Sequence, residues 1–251
     1  MPAVRNYSAP LAAAALAVLA SALPAQEGVP LGPDSRVVTR TIEEADSARG
    51  WSVGVRIPTI EGPAAEDPGW AAFEARLDAI VAGEIADFHA ALEEWGEPRD
   101  PQWNSSFEAD GSVVWVDPPL LSVVLDVSIY YAGAAHPGHY AITLVWDAER
   151  GRELTLEELF RPGAPWLEAL ARIAIPALED ELGEMADPGW IVEGAGPDPA
   201  NYSRWALVEE GLLVLFDPYQ VAPYAAGPQA VTIPRAALAD VARPSGPLVA
   251  R

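Results

Sequence analysis

Residues 120–131 alternate without a break: Leu121, Val123, Leu125, Val127, Ile129 and Tyr131 share one side, and Ser122, Val124, Asp126, Ser128 and Tyr130 share the other. Successive side chains of an extended chain point to opposite faces, so this pattern predicts a long strand with one covered side. Such a strand needs neighbours for its backbone hydrogen bonds and a second layer over its apolar face. After a loop at 132–139 the alternation resumes with Tyr140, Ile142, Leu144 and Trp146, which predicts an antiparallel partner.

The covering layer is also written in the spacing. Asp67 followed by Pro68 is a helix start, with a capping side chain and then a proline where no N–H is needed. Trp70, Phe73, Leu77, Val81, Phe88, Leu92 and Trp95 then recur at helical intervals up to Gly96, with Pro98 beyond. Val53, Val55 and Ile57 alternate in a strand closed by Pro58, and residues 112–117 read as another. Downstream, Thr155 and Glu158 form a capping box for a short helix. A longer helix is expected at 165–185, kinked or divided at Pro176. Residues 205–208 and 212–216 flank Glu209-Glu210-Gly211 as a hairpin, residues 231–233 form a last strand, and Pro234 opens a helix through Val241. Strands and helices cluster without a βαβ repeat. The expected class is therefore α+β: a mostly antiparallel sheet packed by a long amino-terminal helix and by carboxy-terminal helices. Asp-Pro-Gly-Trp occurs at 67–70 and again at 187–190, a weak internal echo.

Composition narrows the function. The absence of Cys excludes a disulfide mini-protein and a cysteine zinc finger. A net charge of −22, with every cation an Arg, excludes a nucleic-acid binder that neutralises phosphates. That field repels anionic lipid and speeds encounter with cationic partners at low salt, unless it only reflects a GC-rich genome or salty surroundings. The first residues hold one cation, Arg5, ahead of an apolar run at 9–23 that is too short to span a bilayer, with small residues Ala20 and Ala22 suited to cleavage. This predicts a signal peptide at 1–22, export to the periplasm or beyond, and no stable membrane insertion after cleavage. Residues 24–36 read as a Pro/Gly linker, so 23–50 is expected to be a linker.

Three segments together resemble a known family: 127–137 (VSIYYAGAAHP), 152–163 (RELTLEELFRPG) and 215–238 (LFDPYQVAPYAAGPQAVTIPRAAL). They resemble the exported domain of unknown function shared by RsiV-type lysozyme-sensing anti-sigma factors and the non-catalytic region of PdaC-type peptidoglycan deacetylases. The resemblance implies a smaller amino-terminal α+β subdomain at 51–117, an RsiV-type domain at 118–243, and a tail at 244–251. Only eight residues precede the apolar run and ten follow Val241, so the sensing or binding module is expected to stand alone.

Tyr219, Pro223 and Tyr224 lie in a loop punctuated by Pro and Gly, where rigid aromatics supply contact area at low entropic cost. With Tyr130 and His136 of the first segment they make the expected ligand-binding set. They otherwise brace a long connection, with Gly227 at a turn. The partner implied is a cationic lysozyme-like protein or a peptidoglycan-related glycan; oligomeric state is left open. His136 and His139 could offer two nitrogens to a metal, but Pro137 and Gly138 preclude a helical face and no HExxH pattern accompanies them. The acids at 179–187 and the pair Glu157 and Glu158 read as solvated faces. No nucleophile elbow, supported Ser/His pair or phosphate loop is found, so no catalytic residue, metal or cofactor is expected. The opposing class is an envelope glycan hydrolase or deacetylase using carboxylates or a His-bound metal. An enzyme would bring His136, His139 and an acid into one pocket; a binder would show exposed aromatics on a rigid loop surface.

Overall fold

A computed structural model describes residues 28–96 and 104–249. The expected signal peptide at 1–22 lies outside the described residues, as does Pro98. Among these residues ten strands form two sheets: β1 (Val29–Gly32), β2 (Ser35–Asp46), β3 (Trp51–Glu61), β4 (Ser105–Asp117), β5 (Leu120–Tyr130), β6 (Gly138–Asp147) and β7 (Arg152–Glu153) make a sheet in chain order. β8 (Trp205–Val208), β9 (Gly211–Phe216) and β10 (Gln229–Pro234) make the second, with β9 central. Helix α1 is Pro68–Trp95, α2 Trp166–Leu182, α3 Pro188–Ala195 and α4 Arg235–Leu238. The class is α+β and the pairing mostly antiparallel. Among the described residues only β3 and β4 run parallel, because α1 carries the chain back between them.

Helix α1 starts where the sequence places it: the Asp67 carboxylate accepts from the N–H groups of Gly69 at 2.8 Å and Trp70 at 3.3 Å. Its buried stripe, Trp70, Phe73, Leu77, Val81 and Phe88, packs on Val53, Val55 and Ile57 of β3, Phe107 of β4 and the odd-numbered side of β5. The Tyr140 hydroxyl donates to Glu84 and ties this helix to β6; burial and that carboxylate raise the phenol's pKa. Trp95 departs from the stripe. It is exposed, stacks on Tyr131 at 5.4 Å between ring centres, and donates its indole N–H to the Ala132 carbonyl.

The even-numbered side of β5 is not uniformly open. Ser122 and Val124 are fully buried under the second sheet, where Val124 meets Ala206, Val208, Leu213 and Leu215, and Leu207 N–H donates to Ser122 Oγ. Further along, Asp126 is exposed and Ser128 and Tyr130 half-buried. Strands β8 and β9 lie between two layers, since Trp205, Leu207, Leu212, Val214 and Phe216 face α2 and α3. Continuous apolar runs suit a strand buried on both faces.

Three expectations change. The stretch read as a linker at 23–50 forms the β1–β2 hairpin from residue 29 onward, with the whole of β2 inside it. Asp34, at φ +58°, makes the turn, and Val37, Val38, Thr39, Thr41 and Ile42 supply the β-branched side chains of a strand. Helix α2 is not divided at Pro176, which is exposed, so water can take the carbonyl bond that proline cannot. Helix α4 ends at Leu238, short of Val241; Val241 and Ala242 N–H both donate to the Leu238 carbonyl and the chain turns back to bridge Phe160. The expected border at 117/118 falls in the turn between β4 and β5, which pair from Ser106 opposite Tyr130 to Asp117 opposite Leu120.

At the capping box, the Glu158 carboxylate accepts from Thr155 N–H at 3.0 Å and from Arg152 at 2.5 and 2.9 Å. Bonding from Arg152 outweighs partial desolvation and, with help from Thr155, lowers its pKa from 4.5 to about 2. A depressed carboxyl stabilises the fold above its unfolded pKa and loses that contribution as pH falls through the folded value. Glu158→Gln is expected to cost about 1 kcal/mol at neutral pH, a value reduced for screening by water. Denaturant midpoints measured against pH will show this gap narrowing between about pH 4.5 and pH 2.

Candidate functional site

Two loops meet beside β6. The first joins β5 to β6 and carries His136; the second, residues 217–228, joins β9 to β10. In the second, Tyr219 N–H donates to the Ala222 carbonyl and Gln220 N–H to the Asp217 carbonyl. Tyr219 sits at φ +71°, left-handed geometry that non-glycine residues rarely adopt. What holds it there is one side chain from α3 and one from the loop itself. The Trp190 indole N–H donates to the Tyr219 carbonyl at 3.0 Å. Gln220 spans three backbone groups: its amide nitrogen donates to the carbonyls of Gly194 and Asn201, and its oxygen accepts from Asp217 N–H. Gly194 of α3 lies so close that a Cβ there would stand 1.9 Å from the Gln220 carbonyl oxygen.

The loop's base is an ion pair, Arg204 with Asp217 at 2.7 Å. Arg204 Nε also donates to the Ala141 carbonyl of β6. Burial raises the Asp217 pKa, and Arg204 and the Ala141 N–H pull it back. Tyr224 closes the junction: its hydroxyl donates to the Pro137 carbonyl at 2.8 Å and its ring stacks on His136 at 3.9 Å between centres. His136 Nδ1 lies 2.9 Å from the same carbonyl, which assigns the proton to Nδ1. Tyr219, 56% exposed, stands 5.8 Å from Tyr224.

Of the expected set, the fold therefore brings His136, Tyr219 and Tyr224 into one cluster. Pro223 caps the short 3₁₀ turn Tyr224–Ala226 and is half-buried. Tyr130, the last residue of β5, braces the loop that follows it, its hydroxyl accepting from Gly133 N–H at 3.3 Å. Trp190, Gln220 and Gly194 were not anticipated; Trp190 closes the second Asp-Pro-Gly-Trp, whose Asp187 caps α3 as Asp67 caps α1.

His139 belongs elsewhere. It lines a groove of about 400 Å³ on the open face of the large sheet, with Thr41, Glu43, Gly54, Arg56, Glu108, Asp110, Asp126 and Ser128. The strand register makes two rows of these residues: Glu43, Gly54, Glu108, Ser128, His139, and beside it Thr41, Arg56, Asp110, Asp126. Arg56 pairs with Asp110. Asp126 has its pKa raised by desolvation, lowered by His139 and raised again by Asp110. His136 is not among the lining residues, so the two histidines do not share this pocket. Among the described residues no three His, Asp or Glu side chains converge as a metal site requires.

The architecture is shared with two solved structures of DUF3298 family proteins. One, from Bacteroides fragilis, superposes with a TM-score of 0.60 at 15% identity over 85% of this chain and 95% of that one. The other, from Pseudomonas aeruginosa, gives 0.51 at 20% identity over 85% and 97%. Residues 157–236 match the family model described as a protein of unknown function (DUF3298). It is 32% identical over 111 residues to the peptidoglycan-N-acetylmuramic acid deacetylase PdaC of Bacillus subtilis, covering 44% of this chain and 24% of that protein. It is 29% identical over 122 residues to immunogenic protein MPT64 of Mycobacterium tuberculosis, covering 48% and 52%. The matches thus span from a quarter to about half the length of these relatives. No helix among the described residues is long and apolar enough to cross a membrane.

Proposed function

We propose that this chain is an exported, non-enzymatic binding domain of the periplasm or cell exterior. It recognises a cell-envelope ligand, a lysozyme-like protein or a peptidoglycan-related glycan, as a sensor or inhibitor. The observation that carries this reading is Tyr219: a large aromatic, more than half exposed, held in a left-handed conformation by Trp190 and Gln220 beside a second tyrosine stacked on His136. Exposed aromatics on a rigid surface are the usual anchors of recognition, because little side-chain freedom is left to lose. The net charge of −22 favours a cationic partner. Separation of His136 from His139 supports a binder over a glycan hydrolase or deacetylase.

Calorimetry against a c-type lysozyme and against soluble peptidoglycan fragments, at low and physiological salt, tests the reading. Binding of one of them is expected to survive physiological salt and to weaken about 10-fold in Tyr219→Ala, roughly 1.4 kcal/mol. Tyr224→Ala is expected to weaken it as well, through loss of the Pro137 bond and the His136 stack. Binding that disappears with salt and ignores both tyrosines would reduce the interaction to charge attraction and overturn the proposal.

A further inference from the structure

Among the described residues, the two edges of the large sheet are finished differently. At β6, Ala141 has both backbone groups taken, its carbonyl by Arg204 and its N–H by Asp217, while Thr143 Oγ1 accepts from Trp205 N–H and β7 pairs with Trp146 and Asp147. At the opposite edge β1 pairs only with Ser35, Arg36 and Val37. Residues 38–46 of β2 have β3 on one side and no strand on the other. An unpaired edge turns every second N–H and C=O outward and is a template for another extended chain.

That bare edge is also one wall of the groove. Thr41 and Glu43 belong to it, and the groove runs from them across β3, β4 and β5 to His139. Its floor at Gly54 is open, since a Cβ built there meets nothing within 4 Å. Four carboxylates, Glu43, Glu108, Asp110 and Asp126, face one arginine, Arg56, which is already paired with Asp110. A strand added beside β2 lies about 4.8 Å from it and presents alternate side chains on the groove face. A long basic side chain there passes beside Glu43 and over Gly54, where the sheet carries no side chain, towards Glu108. The whole chain's negative charge draws in the same class of partner.

We propose that residues 38–46 of β2 receive an extended, arginine- or lysine-bearing peptide segment as an added strand, with its basic side chains laid into the groove of Glu43, Gly54 and Glu108. This site is separate from the tyrosine loops and stands without them.

The probe is a capped nonapeptide alternating Arg with Thr and Val, titrated into the full chain at physiological salt. A second peptide of the same sequence, N-methylated at alternate backbone amides, cannot pair with an edge. The first peptide is expected to bind and to slow hydrogen exchange at the alternate amides of residues 38–46 that face away from β3. The N-methylated peptide is expected to fail, and the double variant Glu43→Gln, Glu108→Gln to bind at least 10-fold more weakly with an unchanged melting temperature. Tyr219→Ala is expected to bind the peptide as the parent does, which separates this site from the loop site. Equal binding of the N-methylated peptide would mean charge attraction only and would overturn the proposal. So would outward amides already protected in the free monomer, which would show the chain covering its own edge, or protection that rises with protein concentration, which would assign the edge to a second copy.

Discussion

Gly194→Ala is expected to lower stability by about 3 kcal/mol and to displace the tyrosine loop in the protein that remains folded. The added methyl would sit 1.9 Å from the Gln220 carbonyl oxygen and 2.7 Å from its carbon, both backbone atoms that cannot swing aside as a side-chain tip can. Relief requires α3 and the loop to part. Parting them lengthens the Gln220 bonds to Gly194 and Asn201 and draws Trp190 away from the Tyr219 carbonyl. Chemical denaturation gives the stability loss. The near-ultraviolet circular dichroism of Trp190 and the tyrosines reports the displacement, and a variant with parental stability and spectrum would show that the loop is not seated on this helix.

The two Asp-Pro-Gly-Trp copies are expected to respond unequally to the same substitution. A Cβ at Gly69 would stand 1.8 Å from the Ala148 carbonyl oxygen, because the first turn of α1 is pressed against the end of β6 where Trp146 donates to the Gly69 carbonyl. Gly69→Ala is therefore expected to cost about 3 kcal/mol. At Gly189 the nearest atom is the capping Asp187 side chain at 3.2 Å, which can shift. Replacing glycine by alanine inside a helix otherwise gains about 0.5 to 1 kcal/mol, so Gly189→Ala is expected to lie near neutral. Parallel thermal unfolding of the two variants decides it: similar losses at both positions would mean that the tetrapeptides are held by equivalent surroundings, contrary to the packing described.

How much of this was legible depends on the range of the interaction responsible. Helix α1, the β5–β6 hairpin and the capping box at Thr155 are written in spacing and capping residues only a few positions apart, and each forms where those signals lie. The β1–β2 hairpin was hidden by Pro30, Gly32 and Pro33, turn-forming residues that masked a strand whose partner, β3, is fixed only once the chain has folded. For the same reason the groove was invisible. Glu108 and Asp110 precede the strand read at 112–117, Asp126 sits on the polar side of its own alternation, and only the register sets Asp110 opposite Asp126 and Gly54 between Glu43 and Glu108. The tyrosine cluster was legible as residue types but not as a geometry. Nothing in the sequence couples Tyr224 to Pro137 or Tyr219 to Trp190, contacts that bring together segments 87 and 29 residues apart.

The hairpin of β8 and β9 sets a limit on how this molecule can be divided. One of its faces, Ala206, Val208, Leu213 and Leu215, is covered by Val124 of the large sheet, and the segment matched to the family model begins only at residue 157. The match therefore marks out a stretch of similar sequence that does not contain the cover of its own sheet. Cut free at that point, it would carry an apolar sheet surface into water. Any protein that borrows the tyrosine loops by recombination must also supply a lid for that surface, from its own upstream strands or from a partner.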